Sequence, residues 1–256
     1  MTIFQAILSG ILQGITEFFP ISSTGHLVIL HHFFGFKESQ IFFDIMLHIA
    51  TGLAVVVYFR KDIINLFTSE KNLGMLVVLG SVPTFFIGFL FADFIERFFV
   101  HVELVGAALL FTGAFLIVSD IINKKILREK HIEKRETMLY PWKAIVVGIA
   151  QGVALIPGIS RSGATISAGL VCGLGSTLAF RFSFLLLIPA TLGAVIFKLK
   201  DVATPIPAAG PMLAGGASAF FVGLLALHLL SRILRRGKIY IFGYYCIAVG
   251  LLIILI

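Results

Sequence analysis

Residues 6–25 read AILSGILQGITEFFPISSTG, and residues 144–163 read AIVVGIAQGVALIPGISRSG. The two stretches align without a gap. Gly10/Gly148, Gln13/Gln151, Gly14/Gly152, Ser22/Ser160 and Gly25/Gly163 are identical pairs beside matching Ala and Ile positions. Each stretch carries a proline, Pro20 or Pro157, followed by serine and glycine. Proline lacks an N–H and its ring clashes with the preceding turn, so a helix is predicted to break there. A repeated, broken, polar segment in apolar sequence points to a buried site between two related halves.

The rest of the chain is membrane-like. It is 59% hydrophobic and 13% charged over 256 residues, with a mean hydropathy of +1.05. A soluble domain of this length has no use for so much apolar surface. A β-barrel would alternate in segments of about ten residues, and no such pattern occurs. The N-terminal MTIFQAILSG has no Lys or Arg and does not read as a signal peptide. Cys172 and Cys246 are isolated in apolar runs and read as small buried residues. The net charge of +7 is a topology signal here and implies no nucleic acid.

Apolar segments fall near 3–20, 22–36, 41–59, 74–91, 101–119, 142–157, 160–175, 180–197, 210–230 and 239–256. A spanning helix needs about 20 residues, so the segments around the two motifs are too short to cross singly. They read as re-entrant hairpins, whose irregular backbone must be surrounded by protein or trapped water. The expected fold is an all-α polytopic membrane protein of two inverted repeats, each a re-entrant helix hairpin plus three transmembrane helices. Its parts are a first repeat at 1–119, a cytoplasmic connector at 120–141 and a second repeat at 142–256. With the 120–143 stretch inside, fifteen Lys and Arg lie inside and four, Lys37, Arg97, Lys198 and Lys200, outside, with Arg161 in the second motif. That bias fits the positive-inside rule. It supports the inversion but not the re-entrance, because two full spans would return to the same side. Both termini come out on the outer face.

Arg161 lies far from any loop. A charge at that depth is costly and marks function. A guanidinium beside a restarting helix makes an anion site, for which phosphate is the natural ligand. Ser160, Ser162, Gly163 and Thr165 surround it. The structural alternative is a salt bridge from Arg161 to Glu17. In the first motif Gln13 and Glu17 share a helix face, and Ser22, Ser23, Thr24, Gly25 and His26 follow the break. Serine attack on phosphorus needs a base in reach, which Glu17 or His26 supplies. The structural alternative for Glu17 is packing as a protonated carboxyl. Glu17 aligns with Leu155, Ser23 with Arg161 and His26 with Ala164. This division of labour suits an enzyme with one site. Asp44 and His48, one helical turn apart, either line the same cavity or pair locally. His31 and His32 read as interfacial.

QGITEFFPISSTGH (13–26) and PGISRSGAT (157–165) resemble the two signature motifs of bacterial undecaprenyl-diphosphate phosphatases of the bacitracin-resistance type. The later FRFSFLLLIPATLGA (180–194), the length and the motif spacing extend the resemblance over the whole chain. It implies an integral enzyme of the bacterial cytoplasmic (inner) membrane, with its active site toward the outer face. That enzyme removes the terminal phosphate of undecaprenyl diphosphate, which recycles the lipid carrier for cell-wall synthesis and confers bacitracin resistance. It implies Mg²⁺ or Ca²⁺, with Glu17 as metal ligand and motif glutamate. Ser22, Ser23 and His26 resemble the motif serines and histidine, and Arg161 the phosphate-binding arginine. Gln13 stands where many members carry Glu, leaving one carboxylate fewer for a cation. On the residues alone Ser23 is the first choice of nucleophile, because Ser22 has a counterpart in the other half, and direct attack by water or by His26 stays open. Substrate contacts are expected from Gln13, Ser22, Thr24, Gly25, Ser160, Ser162, Gly163 and Thr165. The rival reading is a transporter or flippase of a polyprenyl phosphate, since paired broken helices are also a transporter device. Association into a homodimer is left open by the sequence.

Overall fold

Helix α1 (Ile3–Thr16) begins on a capping box: the Thr2 side chain accepts from the Gln5 amide, and the Gln5 side chain accepts from the Thr2 amide. It stops four residues before Pro20, and α7 (Pro141–Val153) stops four residues before Pro157. The proline ring collides with the carbonyl of residue i−4, so both helices end where that clash would begin. The chain turns through each break and restarts as α2 (Ser23–Phe33) and α8 (Arg161–Val171). The expected breaks are therefore present in both halves.

The computed structural model describes residues 1–36, 40–92, 94, 102–129, 138–198 and 208–255. Among the described residues every regular element is helical. The remaining helices are α3 (Ile41–Tyr58), α4 (Arg60–Phe67), α5 (Lys71–Leu90), α6 (Val102–Glu129), α9 (Ser176–Lys198), α10 (Ala209–Arg235) and α11 (Tyr240–Leu255). Five of these, α3, α5, α6, α9 and α10, are long and apolar enough to cross a membrane, while α1 and α11 are shorter apolar helices. This is the architecture of a polytopic helical membrane protein. The fifth apolar segment does not stop at 119: α6 runs on to Glu129. Hydropathy marks where lipid ends, not where a helix ends, and an Asp120–Lys124 pair at 2.6 Å supports the extension. Lys37, Arg97, Lys200 and residues 130–137 of the expected connector lie outside the described residues.

Packing follows the repeat. Helix α1 lies along α10 while its counterpart α7 lies along α5, and α3 meets α10 while α9 meets α5. Helices α3 and α9 also touch, as do α6 and α11. The motif glycines explain the closeness. A Cβ at Gly10 would lie 2.2 Å from the Gly215 carbonyl oxygen, and one at Gly148 would lie 2.0 Å from that of Gly80. Small residues that let backbones approach are the usual means of helix association in lipid.

Within the first break, Phe18 is fully buried and packs edge-on to Phe184 of α9, with ring centroids 5.6 Å apart. Phe184 in turn contacts Phe59 and Phe180. The tip of the first hairpin is thus anchored in aromatic core, which holds the neighbouring Glu17 in place. Elsewhere, Arg181 of α9 donates to Asp62 of α4 and to Glu70, tying α4 and the turn after it to the second half.

Candidate active site

Glu17 follows directly on the last residue of α1, and Arg161 opens α8. The two hairpin tips meet, and Arg161 Nη2 donates to Glu17 Oε1 at 2.5 Å. The salt bridge raised as the structural alternative for Arg161 therefore exists. Ser23, the first residue of α2, donates its hydroxyl to Glu17 Oε2 at 2.7 Å. Gln13, one turn back on α1, donates Nε2 to the same oxygen at 3.1 Å. His48 of α3 places Nδ1 3.3 Å from Glu17 Oε2 and 3.0 Å from Gln13 Nε2. One carboxylate gathers groups from four helices. Its side chain is 10% exposed and that of Arg161 19%, so both charges sit in a poorly hydrated setting where pairing matters most.

The ion pair does not exhaust Arg161. Among the described residues its buried Nη1 meets no hydrogen-bond partner. A buried guanidinium nitrogen left over is an unusual cost, and it leaves one arm of the fork for an anion. Of the other second-motif residues, Ser160 caps α8 by accepting from the Gly163 amide at 3.2 Å, and Ser162 shares a 3.3 Å contact with the Ser160 hydroxyl. Thr165 bonds back to the Arg161 carbonyl and to Ser183. Ser160, Gly163 and Thr165 thus build the helix start that carries Arg161.

The first tip is strained where the second is not. Ser22 has φ 68°, a region that serine seldom adopts and that costs about 1–3 kcal/mol. Its counterpart Ser160 has φ −73°, and the second tip takes its positive φ of 91° at Gly158 instead. The Ser22 carbonyl accepts from His26 Nδ1 at 2.7 Å. His26 Nε2 lies 2.8 Å from the Tyr245 hydroxyl of α11, with the two rings stacked. Both ring nitrogens are thereby engaged away from Glu17 and Ser23. The structure brings Gln13, Glu17, Ser23 and Arg161 together, and turns His26 aside. Thr24 and Gly25 follow Ser23 in the first turn of α2.

Chemically, the cluster pairs a serine hydroxyl with a carboxylate that accepts its proton, and sets a partly free guanidinium beside them. Such a set has the groups from which a nucleophile, a base and an anion holder could be drawn at one point.

Comparison with known proteins decides the family. The model of the family described as "Bacitracin resistance protein BacA" matches residues 6–252. The chain belongs to this family. An undecaprenyl-diphosphatase of Syntrophotalea carbinolica is 39% identical over 262 residues, covering 98% of this chain and 97% of the relative. One from Halothermothrix orenii is 41% identical over 262 residues, covering 100% and 98%. One from Methanosphaera stadtmanae is 38% identical over 279 residues, covering 100% and 98%. These relatives carry an enzyme's name over full length, so the transporter reading is not favoured.

Within this BacA-family chain, sequence reasoning left two contacts unassigned. His48 was read with Asp44 on the third segment as either lining the same cavity or pairing locally, and their spacing was the available signal. Asp44 instead lies 3.8 Å from His31, while His48 faces Glu17. Tyr245 carries no motif and sits in a helix that is apolar all round, so nothing in the sequence marks it.

Proposed function

We propose that this protein removes the terminal phosphate of undecaprenyl diphosphate, giving undecaprenyl phosphate and phosphate. This recycles the lipid carrier for cell-wall synthesis and confers resistance to bacitracin. The observation that carries the reading is the meeting of Ser23 and Arg161 on Glu17, with Arg161 Nη1 buried and without a partner among the described residues.

The polyprenyl tail lies in lipid between helices and the diphosphate reaches the hairpin tips. Arg161 turns its spare nitrogen, Nη1, to the terminal phosphate. Ser23 Oγ attacks the terminal phosphorus as its proton passes to Glu17 Oε2. The bond to the bridging oxygen breaks and undecaprenyl phosphate leaves as an anion that needs no proton. Water then attacks the phosphoserine: as the bond from phosphorus to Ser23 Oγ breaks, Glu17 returns its proton to that oxygen, and the water's hydrogens leave on the released phosphate. Positioning and electrostatic stabilisation of the phosphoryl group supply most of the acceleration.

Mg²⁺ or Ca²⁺ belongs to the same reading. Among the described residues no three His, Cys, Asp or Glu gather in a way that would hold a metal ion. The donor set nonetheless suits a hard cation: the Glu17 carboxylate, and Gln13 Oε1, which is buried and has no partner among the described residues. Glu17 and Gln13 would hold it with oxygens of the diphosphate, and it would offset phosphate charge.

The two halves are inverted repeats joined by a cytoplasmic connector, and the tips face the outer side of the cytoplasmic membrane. Supporting this are the repeat-related packing of α1 on α10 and α7 on α5 and the bias of Lys and Arg. Phosphate release from undecaprenyl diphosphate by detergent-purified protein tests the function, with Mg²⁺, Ca²⁺ or EDTA, beside Ser23→Ala and Arg161→Ala. Metal-dependent release that both variants lose is expected. No release from well-folded wild-type protein would overturn it.

A further inference from the structure

The Gln13 amide is held from two sides. Its Nε2 donates to Glu17 Oε2 at 3.1 Å and contacts His48 Nδ1 at 3.0 Å. An amide nitrogen has two hydrogens and no lone pair to give, so a hydrogen bond from Gln13 to His48 requires Nδ1 as the acceptor and the ring proton on Nε2, with the same Nδ1 3.3 Å from Glu17 Oε2. Turning the amide over would set its carbonyl oxygen against the carboxylate of Glu17, oxygen to oxygen at the same distance. Glu17 therefore selects one orientation, and in it Nε2 also faces His48 Nδ1. In that orientation Gln13 Oε1 is buried and, among the described residues, has no partner. Gln13 itself is fully buried, so water does not freely repay that oxygen, which is costly to leave bare.

We propose that His48 is a positioning residue: by accepting from Gln13 Nε2 it fixes the amide with its carbonyl oxygen presented as an oxygen ligand for a divalent cation. The inference rests on the reading of the site as cation-dependent. It explains how a chain with glutamine at position 13 completes an oxygen-rich site around one carboxylate. Groups that orient a metal's ligands commonly matter about 10–100-fold for metal affinity or activity.

Asparagine carries Oδ1 near the place of an imidazole Nδ1, whereas leucine carries no acceptor and glutamine carries its acceptor one bond further out. The test is a Mg²⁺ titration of wild type, His48→Leu, His48→Asn, His48→Gln, Gln13→Leu and the Gln13→Leu/His48→Leu double variant. Two readouts are followed separately: the thermal melting of detergent-solubilised protein with Mg²⁺ and inorganic pyrophosphate, and the Mg²⁺ dependence of phosphate release. His48→Leu should raise the half-saturating Mg²⁺ concentration by about 10–100-fold in both readouts, with a smaller effect on the rate at saturating Mg²⁺. His48→Asn should restore most of it and His48→Gln less, which keeps the test decisive even where His48→Leu fails to fold. The double variant should be no worse than Gln13→Leu. Unchanged Mg²⁺ dependence in His48→Leu, equal defects in the Asn and Gln variants, multiplying effects in the double variant, or wild-type melting indifferent to Mg²⁺ would each overturn the proposal. Melting that responds as expected in a protein releasing no phosphate would leave His48 in its role and remove the phosphatase reading instead.

Discussion

Arg161 Nη2 lies 2.5 Å from Glu17 Oε1 although 144 residues separate the two in the chain. Each belongs to a different hairpin, so the pair clasps the halves and, in the proposed function, also takes part in the chemistry. Those two roles separate by experiment. Removing one partner of a poorly hydrated pair strands the other charge, whereas removing both charges does not. Arg161→Ala should lower stability by about 3 kcal/mol, seen as a lower melting temperature in detergent. Combining it with Glu17→Gln should recover much of that loss. Turnover should stay at least about 100-fold down in both proteins, as when a donor to a transition-state oxyanion is lost. An Arg161→Ala protein with near wild-type turnover would remove the arginine from the chemistry.

Ser23 donates to Glu17 and not to His26, and this ranks the two candidate bases. His26 gives one ring nitrogen to the Ser22 carbonyl and the other to the Tyr245 hydroxyl. It steadies a strained turn and does not contact Ser23. Loss of a general base usually costs about 10²–10⁴ in rate. Glu17→Gln should show a loss of that order in kcat, and His26→Ala a markedly smaller one. Steady-state kinetics on both variants check this. Equal losses would mean that His26 leaves Tyr245 during turnover and reaches Ser23.

The hairpins were legible in the sequence because proline is a local rule: α1 and α7 each end four residues before their proline, whatever the tertiary context. Glu17, Ser23 and Arg161 were legible because polar groups in apolar sequence are expensive and demand a reason. His48 was half legible. In soluble proteins a polar face and an apolar face tell which side of a helix turns inward. A membrane span such as α3 is apolar on both sides, since lipid and protein interior look alike to it. Spacing therefore put Asp44 and His48 on one face without saying what that face meets. The direction of His26 was not legible for a related reason. Its place in the motif suggested the serine as its partner, yet the direction of its side chain depends on Tyr245, 219 residues away. The end of α6 was missed because charged residues leave the lipid without leaving the helix.

The glycines shared by the two motifs carry a test of the repeat itself. Gly10 and Gly148 are equivalent in sequence, and each faces a backbone carbonyl that a Cβ would overlap, at 2.2 and 2.0 Å. Backbone cannot step aside as a flexible side chain does, so Gly10→Ala should push α1 from α10 and Gly148→Ala should push α7 from α5. Overpacking of this kind costs about 1–3 kcal/mol. Both variants should melt earlier in detergent. Both should also lose turnover, since α1 carries Gln13 and leads to Glu17 while α7 leads to Arg161. Gly193 supplies the control. It is exposed on α9 and a Cβ there meets nothing within 4 Å, so Gly193→Ala should gain about 1 kcal/mol from helix propensity alone. If Gly10→Ala and Gly148→Ala melt like Gly193→Ala, the close approach of each hairpin to the opposite half is not what holds the two tips together.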